Sequence, residues 1–190
     1  MKTVFFDVDT QLDFLYPAGA LFVPGADGIV KSLAELTRFA ASNGIQIVST
    51  ADAHTEDDPE FKMWKPHCVA GTTGQQKAAA TLLSKPIILQ NPREALEAPQ
   101  IVVEKQKLDC FSNPKLRPLL ELLNADRYVV YGVVTELCVR CASLGLLETG
   151  ARVELVSDAI KRLNPTEEQK FFAEFQSRGG QLTIAAQVTG

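Results

Sequence analysis

Two rhythms of apolar and polar positions alternate along this chain. Short runs dominated by apolar residues recur at 3–6, 45–49, 87–89, 101–103, 128–131, 153–156 and 182–184. Runs this short, rich in Val, Ile and aromatic residues, predict strands covered on both faces. Between them the apolar positions fall three or four apart. Ile29, Leu33, Leu36 and Ala40 share one helical face, with Gly44 as the stop. Asn113-Pro114 opens a second helix, with Leu116, Leu119, Leu120 and Leu123 on one side. A third is expected from Thr135 to Thr149, ended by Gly150. Asn164-Pro165-Thr166-Glu167 has the form of a capping box and opens a fourth, carrying Phe171, Phe172 and Phe175. Strands alternating with helices predict βαβ units in one domain over residues 1–190: a three-layer α/β/α fold around a doubly wound, mostly parallel sheet. Residues 52–86 break the rhythm, and a long irregular segment in a compact domain is usually functional.

Composition narrows the classes. The 190 residues are 46% hydrophobic and 22% charged, enough to build a core. No apolar run approaches the roughly 18 residues of a membrane span, so no membrane partner is expected. The first six residues run directly into Asp7 without the form of a signal peptide, and with only 4 Cys a disulfide framework is not expected. Both point to a cytoplasmic protein with free thiols. The net charge is -4 and no basic stripe stands out, so a nucleic-acid partner is not expected. Self-association of the chain stays open.

In open α/β sheets, ligands bind beyond the carboxyl ends of the strands. The polar residues at those ends are few: Asp7 and Asp9 after the first strand, Asp52 and His54 after the second, Glu104 and Lys105 after the run at 101–103, and Cys138 at the start of the helix after 128–131. A Cys in the first turn of a helix meets unpaired N–H groups and the positive end of the macrodipole, which predicts a lowered pKa and a nucleophile. Cys141, one turn on, reads as core. A carboxylate beside a Lys is expected to stay ionised and accept a thiol proton, so Asp9, Lys105 and Cys138 form a candidate triad. The only two His, His54 and His67, lie in the irregular segment with Asp52 and several acids. An Asp/His/His set with one more carboxylate suits a divalent metal, Zn, Fe or Mn, with open water positions.

Together these motifs resemble one family, the isochorismatase-like cysteine hydrolases, and within it the nicotinamidases. Asp9-Thr10-Gln11-Leu12-Asp13-Phe14 is similar to the first-strand motif, Asp52-Ala53-His54 to the metal motif, and Trp64-Lys65-Pro66-His67-Cys68-Val69-Ala70-Gly71-Thr72 to the second metal segment. Val103-Glu104-Lys105 with Phe111 resembles the catalytic-Lys segment, and Gly132-Val133-Val134-Thr135-Glu136-Leu137-Cys138-Val139 the nucleophile segment. The resemblance spans nearly the whole chain. It implies a sheet of six strands, an Asp9–Lys105–Cys138 triad, a cis peptide at Val133–Val134, and an oxyanion hole of Val134 and Cys138 N–H groups. It also implies one divalent metal and a small amide substrate, nicotinamide first, between Phe14 and Trp64. Many nicotinamidases have a third metal His that this chain lacks; Glu60 is assigned that place, with Asp57 and Asp58 as alternatives. Lys65 stands where Pro is usual, at the expected pocket mouth.

Two rival readings are set against this one. Asp7-Val8-Asp9-Thr10 begins like the haloacid dehalogenase phosphatase motif, but Gln11 stands where Thr or Val is wanted and Cys138 is left without a role. A binding domain that lost its chemistry would not need Asp9, Lys105 and Cys138 together.

Overall fold

The computed structural model describes all 190 residues. Its centre is a sheet built from β1 (Thr3–Val8), β2 (Gln46–Asp52), β3 (Pro86–Ile88), β4 (Gln100–Lys105), β5 (Arg127–Val133), β6 (Arg152–Lys161) and β7 (Gln181–Thr183). The order is β3-β4-β2-β1-β5-β6-β7 and every pairing is parallel. The sheet therefore has seven strands, not six. Its two edge strands have three residues each, and a three-residue run gains its strand character from the neighbour it pairs with rather than from its own pattern.

The period-two alternation of β1 divides the molecule. Val4, Phe6 and Val8 join a core cluster on one face, and Phe5 joins a second cluster on the other. The first face is covered by α3 (Pro92–Ala95), α4 (Leu116–Leu123), α5 (Arg140–Leu147) and α6 (Pro165–Ser177), the second by α1 (Leu12–Leu15), α2 (Val30–Ser42) and α7 (Ala185–Thr189). In α4, Leu116, Leu119, Leu120 and Leu123 are buried and Leu122 is exposed, and each buried side chain stabilises by about 1.5–3 kcal/mol. That helix begins at Leu116 rather than at Pro114: Asn113 turns back to accept the Lys115 N–H, and its own amide is spent on the Glu104 carbonyl. No helix is long and apolar enough to cross a membrane.

The expected helix from Thr135 is divided. Residues Thr135–Val139 form a wide π turn before α5 starts at Arg140. Its approach is crowded: a side chain on Gly132 would overlap the backbone of Val8, and the residue sits at φ +122, so only glycine lets β5 pass β1 there. The box at Asn164 is half formed. The Asn164 side chain accepts from Thr166 and Glu167 N–H, but its own N–H is taken by Glu136, at 2.6 Å.

Candidate active site

β1, β2, β4 and β5 are adjacent, and their carboxyl ends bring four polar side chains to one point. β1 stops at Val8, and Asp9 turns out of the sheet in the left-handed region, at φ +49. Asp52 and Lys105 close β2 and β4 as paired residues. Cys138 projects from the π turn after β5. The Lys105 ammonium lies 2.9 Å from Asp9 Oδ2 and 3.7 Å from Cys138 Sγ, and it donates a hydrogen bond to Asp52 Oδ1. All four are buried. The Val133–Val134 peptide is cis, and Val134 and Cys138 both line the same cavity.

The charges correct one expectation, the lowered pKa of Cys138. Burial drives the Cys138 thiol well above its ordinary range; Lys105 pulls the other way, but Asp9 and Asp52 add to the rise. Burial and the two carboxylates thus outweigh the acidifying pull that a helix start was expected to exert. Asp9 is also raised, by burial first and by Asp52, against the pull of Lys105 and of a hydrogen bond from Thr50. Asp52, by contrast, is lowered: burial raises it, and Lys105 and His54 outweigh that. Lys105 is held charged, since Asp52 and Asp9 overcome its desolvation.

Beside this group stand His54 and His67. Their Nε2 atoms lie 3.8 and 3.9 Å from Asp52 Oδ2, and the donor atoms of the three side chains all fall within 4.8 Å of one another. His54 Nδ1 is paired with Asp58 Oδ2 at 2.9 Å, and His67 Nδ1 donates to the Lys65 carbonyl at 2.7 Å. Each ring is thereby oriented with Nε2 toward Asp52, and His54 Nε2 is buried without a hydrogen-bond partner. An orphaned imidazole nitrogen, a second one beside it and a carboxylate oxygen make a donor set that fits a divalent ion. Without an ion, burial disfavours charge on His54, but Asp52 and Asp58 outweigh it and push its pKa up to about 9.

Asp9, Asp52 and Cys138 of the first group and His67 of the second line one cavity of about 150 Å³, which Lys105 and His54 do not line. Phe14 and Trp64 line it, as do Leu21, Phe22, Leu108 and Leu163, so its walls are mostly apolar. The Phe14 ring stands 5.4 Å from His67. Glu60 also lines the cavity, half-buried and outside the three-residue donor group. Asp57 is exposed, and Asp58 holds the far nitrogen of His54. Lys65 is exposed and reaches the site only through its carbonyl. Cys141 does not line the cavity.

Several supporting residues escape a reading of strand ends. Thr50 donates to Asp9 Oδ1 at 2.5 Å. Asp13 accepts from Cys68 N–H at 2.7 Å and from Ala20 N–H at 2.8 Å, tying the residue after His67 to the first helical turn. Phe61 packs against both imidazoles, at 5.3 and 5.7 Å between ring centres. Asp7, the first acid of the phosphatase-like motif, is fully buried and bound to Lys77 at 2.9 Å, to Thr10 at 2.8 Å and to Ser49 at 3.1 Å. A carboxylate so enclosed has no approach for a phosphate ester.

Comparison with known proteins agrees with this geometry. Residues 3–187 match the model of the Isochorismatase domain. The nicotinamidase of Escherichia coli (strain K12) is 26% identical, over 94% of this chain and 93% of that protein. The pyrazinamidase of Pyrococcus horikoshii, solved in complex with zinc, superposes with a TM-score of 0.82 at 29% identity, covering 97% of this chain and 99% of that one. The pyrazinamidase/nicotinamidase of Streptococcus mutans UA159 gives 0.81 at 25% identity, over 96% and 100% of the two chains. With the family model matched across nearly its whole length, the chain belongs to the isochorismatase family of hydrolases.

Proposed function

We propose that this hydrolase removes ammonia from a small aromatic carboxamide, nicotinamide first, through a thioester on Cys138. The observation that carries the reading is the single Lys105 ammonium within reach of Asp9, Asp52 and Cys138, three residues that line a mostly apolar cavity. Similarity to the nicotinamidase and pyrazinamidases named above supports the choice of substrate.

Asp9 takes the thiol proton as Sγ attacks the amide carbon. Burial and Asp52 raise Asp9 above an ordinary carboxylate, which makes it the stronger proton acceptor of the two. Negative charge passes from one neighbour of Lys105 to another, and the ammonium holds it throughout. The oxyanion is received by the N–H groups of Val134 and Cys138, a contribution of roughly 3–4 kcal/mol per donor in related sites. Asp9 returns the proton to the departing nitrogen, which leaves as ammonia. It then takes a proton from the water that opens the thioester and passes it back to sulfur, leaving a carboxylic acid.

Asp52, His54 and His67 would hold one divalent ion, Zn, Fe or Mn, with Glu60 as fourth protein ligand. Such an ion supplies a Lewis acid that orients the ring nitrogen or a water beside it. Phe14 and Trp64 would flank the ring.

The test is ammonia release from nicotinamide. Cys138→Ala should abolish it with an unchanged thermal melt, and Cys141→Ala should retain it. The reverse pattern would move the nucleophile.

A further inference from the structure

β1 pairs with β2 only as far as Asp7 and Ser49. Val8 still pairs with Gly132 of β5 and Asp9 N donates to Thr50 O at 3.3 Å, where the contact with β2 ends, while β2 runs on to Asp52 and keeps its pairing with Lys105 on the other side. The N–H and C=O of Asp52 point to the side that β1 has left. Gln11 fills the gap: its Nε2 donates to Asp52 O at 2.8 Å, and its Oε1 accepts from Asp52 N at 2.7 Å. A primary amide carries the same donor and acceptor as a peptide group. The side chain thus adds one rung to a ladder whose strand has ended. Its second N–H donates to Gln75 O at 2.7 Å, and its backbone bridges Lys77 in the segment that follows His67. Gln11 is fully buried, and its hydrogen bonds go to main chain on either side of the donor group.

We propose that Gln11 is a positioning residue for the divalent-ion site: it fixes the main chain of Asp52, and through it the carboxylate that faces both imidazoles. The inference rests on the metal reading above. The bland alternative, a buried amide that merely stabilises the fold, has a built-in control. Gln100 is equally buried and donates to Ser49 Oγ and Thr81 O while accepting from Leu83 N, each at 2.8 Å. It opens β4, whereas Lys105 closes it, five residues and roughly 16 Å along the strand.

The experiment measures zinc affinity of metal-stripped protein by competition with a chromophoric chelator, beside a thermal melt of each variant. Gln11→Met should weaken zinc binding by about 10–100-fold, the range for partners of metal ligands. Gln100→Met should lose stability and leave zinc affinity as in the wild type. Gln11→Glu keeps the shape and the acceptor but cannot make both amide N–H bonds at once, and is read in the same way should Gln11→Met fail to fold. Zinc affinity unchanged in both Gln11 variants, or lowered equally in Gln100→Met, overturns the proposal. A wild type that takes up no zinc overturns the metal reading itself and the proposal with it, an outcome distinct from the first because the wild type alone shows it.

Discussion

Replacing Asp9 by Asn separates the two things this carboxylate does. The amide has the same shape, so the hydrogen bond with Thr50 and the packing are largely kept. The base is gone, which costs about 10²–10⁴ in rate, or ~3–5 kcal/mol of barrier. A second effect runs the other way. Asp9 raises the Cys138 pKa by its charge and by a hydrogen bond, and both pushes end with the substitution. Lys105, 3.7 Å from the sulfur, then acts on the thiol with one opposing carboxylate fewer. The variant must react through whatever thiolate exists before substrate arrives. Its turnover of nicotinamide should therefore be low at neutral pH and climb about tenfold per pH unit, as the thiolate fraction does. Ammonia release measured across pH, with iodoacetamide labelling of Cys138 alongside, follows both quantities. A variant that stays within tenfold of the wild type, or that runs parallel to it across pH, would refute Asp9 as the base.

Thr50→Val removes a donor that favours the charged form of Asp9, so the Asp9 pKa rises further and the acid limb of the rate profile should move to higher pH; Thr50→Ser should restore it. His54→Ala should lose the metal, from about one ion per chain by elemental analysis. Titration with zinc should find binding weakened by Glu60→Ala, which strips the cavity of a carboxylate, and by Asp58→Ala, which frees the His54 ring, while Asp57→Ala changes nothing. Lys77→Met leaves Asp7 buried without its cation and should cost about 3–5 kcal/mol, seen as a melt lower by roughly 6–20 °C, with turnover per folded molecule retained.

The central strands were legible because a parallel strand covered on both faces is rich in apolar residues, and β1, β4 and β5 each carry such a run, with a shorter one, Ile47-Val48, in β2. Their ends were legible in turn, which is why Asp9, Asp52, Lys105 and Cys138 stand out in the sequence as neighbours at one sheet edge. The acidity of Cys138 was not, because a helix-start reading counts nearby backbone dipoles and misses burial between Asp9 and Asp52, residues far away in the chain. Thr50 and Gln11 were invisible for a related reason. Each acts across 41 residues, one on a side chain and one on a main chain, and neither kind of contact leaves a periodic trace. Asp58 was read as an alternative metal ligand. Which nitrogen of His54 it meets is decided by the short turn that starts with it, where its other oxygen accepts the Glu60 N–H.

The anchoring of Cys68 by Asp13 has a consequence for tolerance to mutation. The Asp13 carboxylate lies in a slot so narrow that any side chain at Gly74 would overlap it, and any at Gly19 would strike its backbone. Enlarging either glycine displaces the acid, frees the Cys68 N–H and lets His67 drift, although neither glycine lines the substrate cavity. Variants that silence the enzyme should therefore be found in these two loops as well as around the nucleophile. A saturation screen would draw the working site as a ring of fragile positions wider than the cavity it encloses.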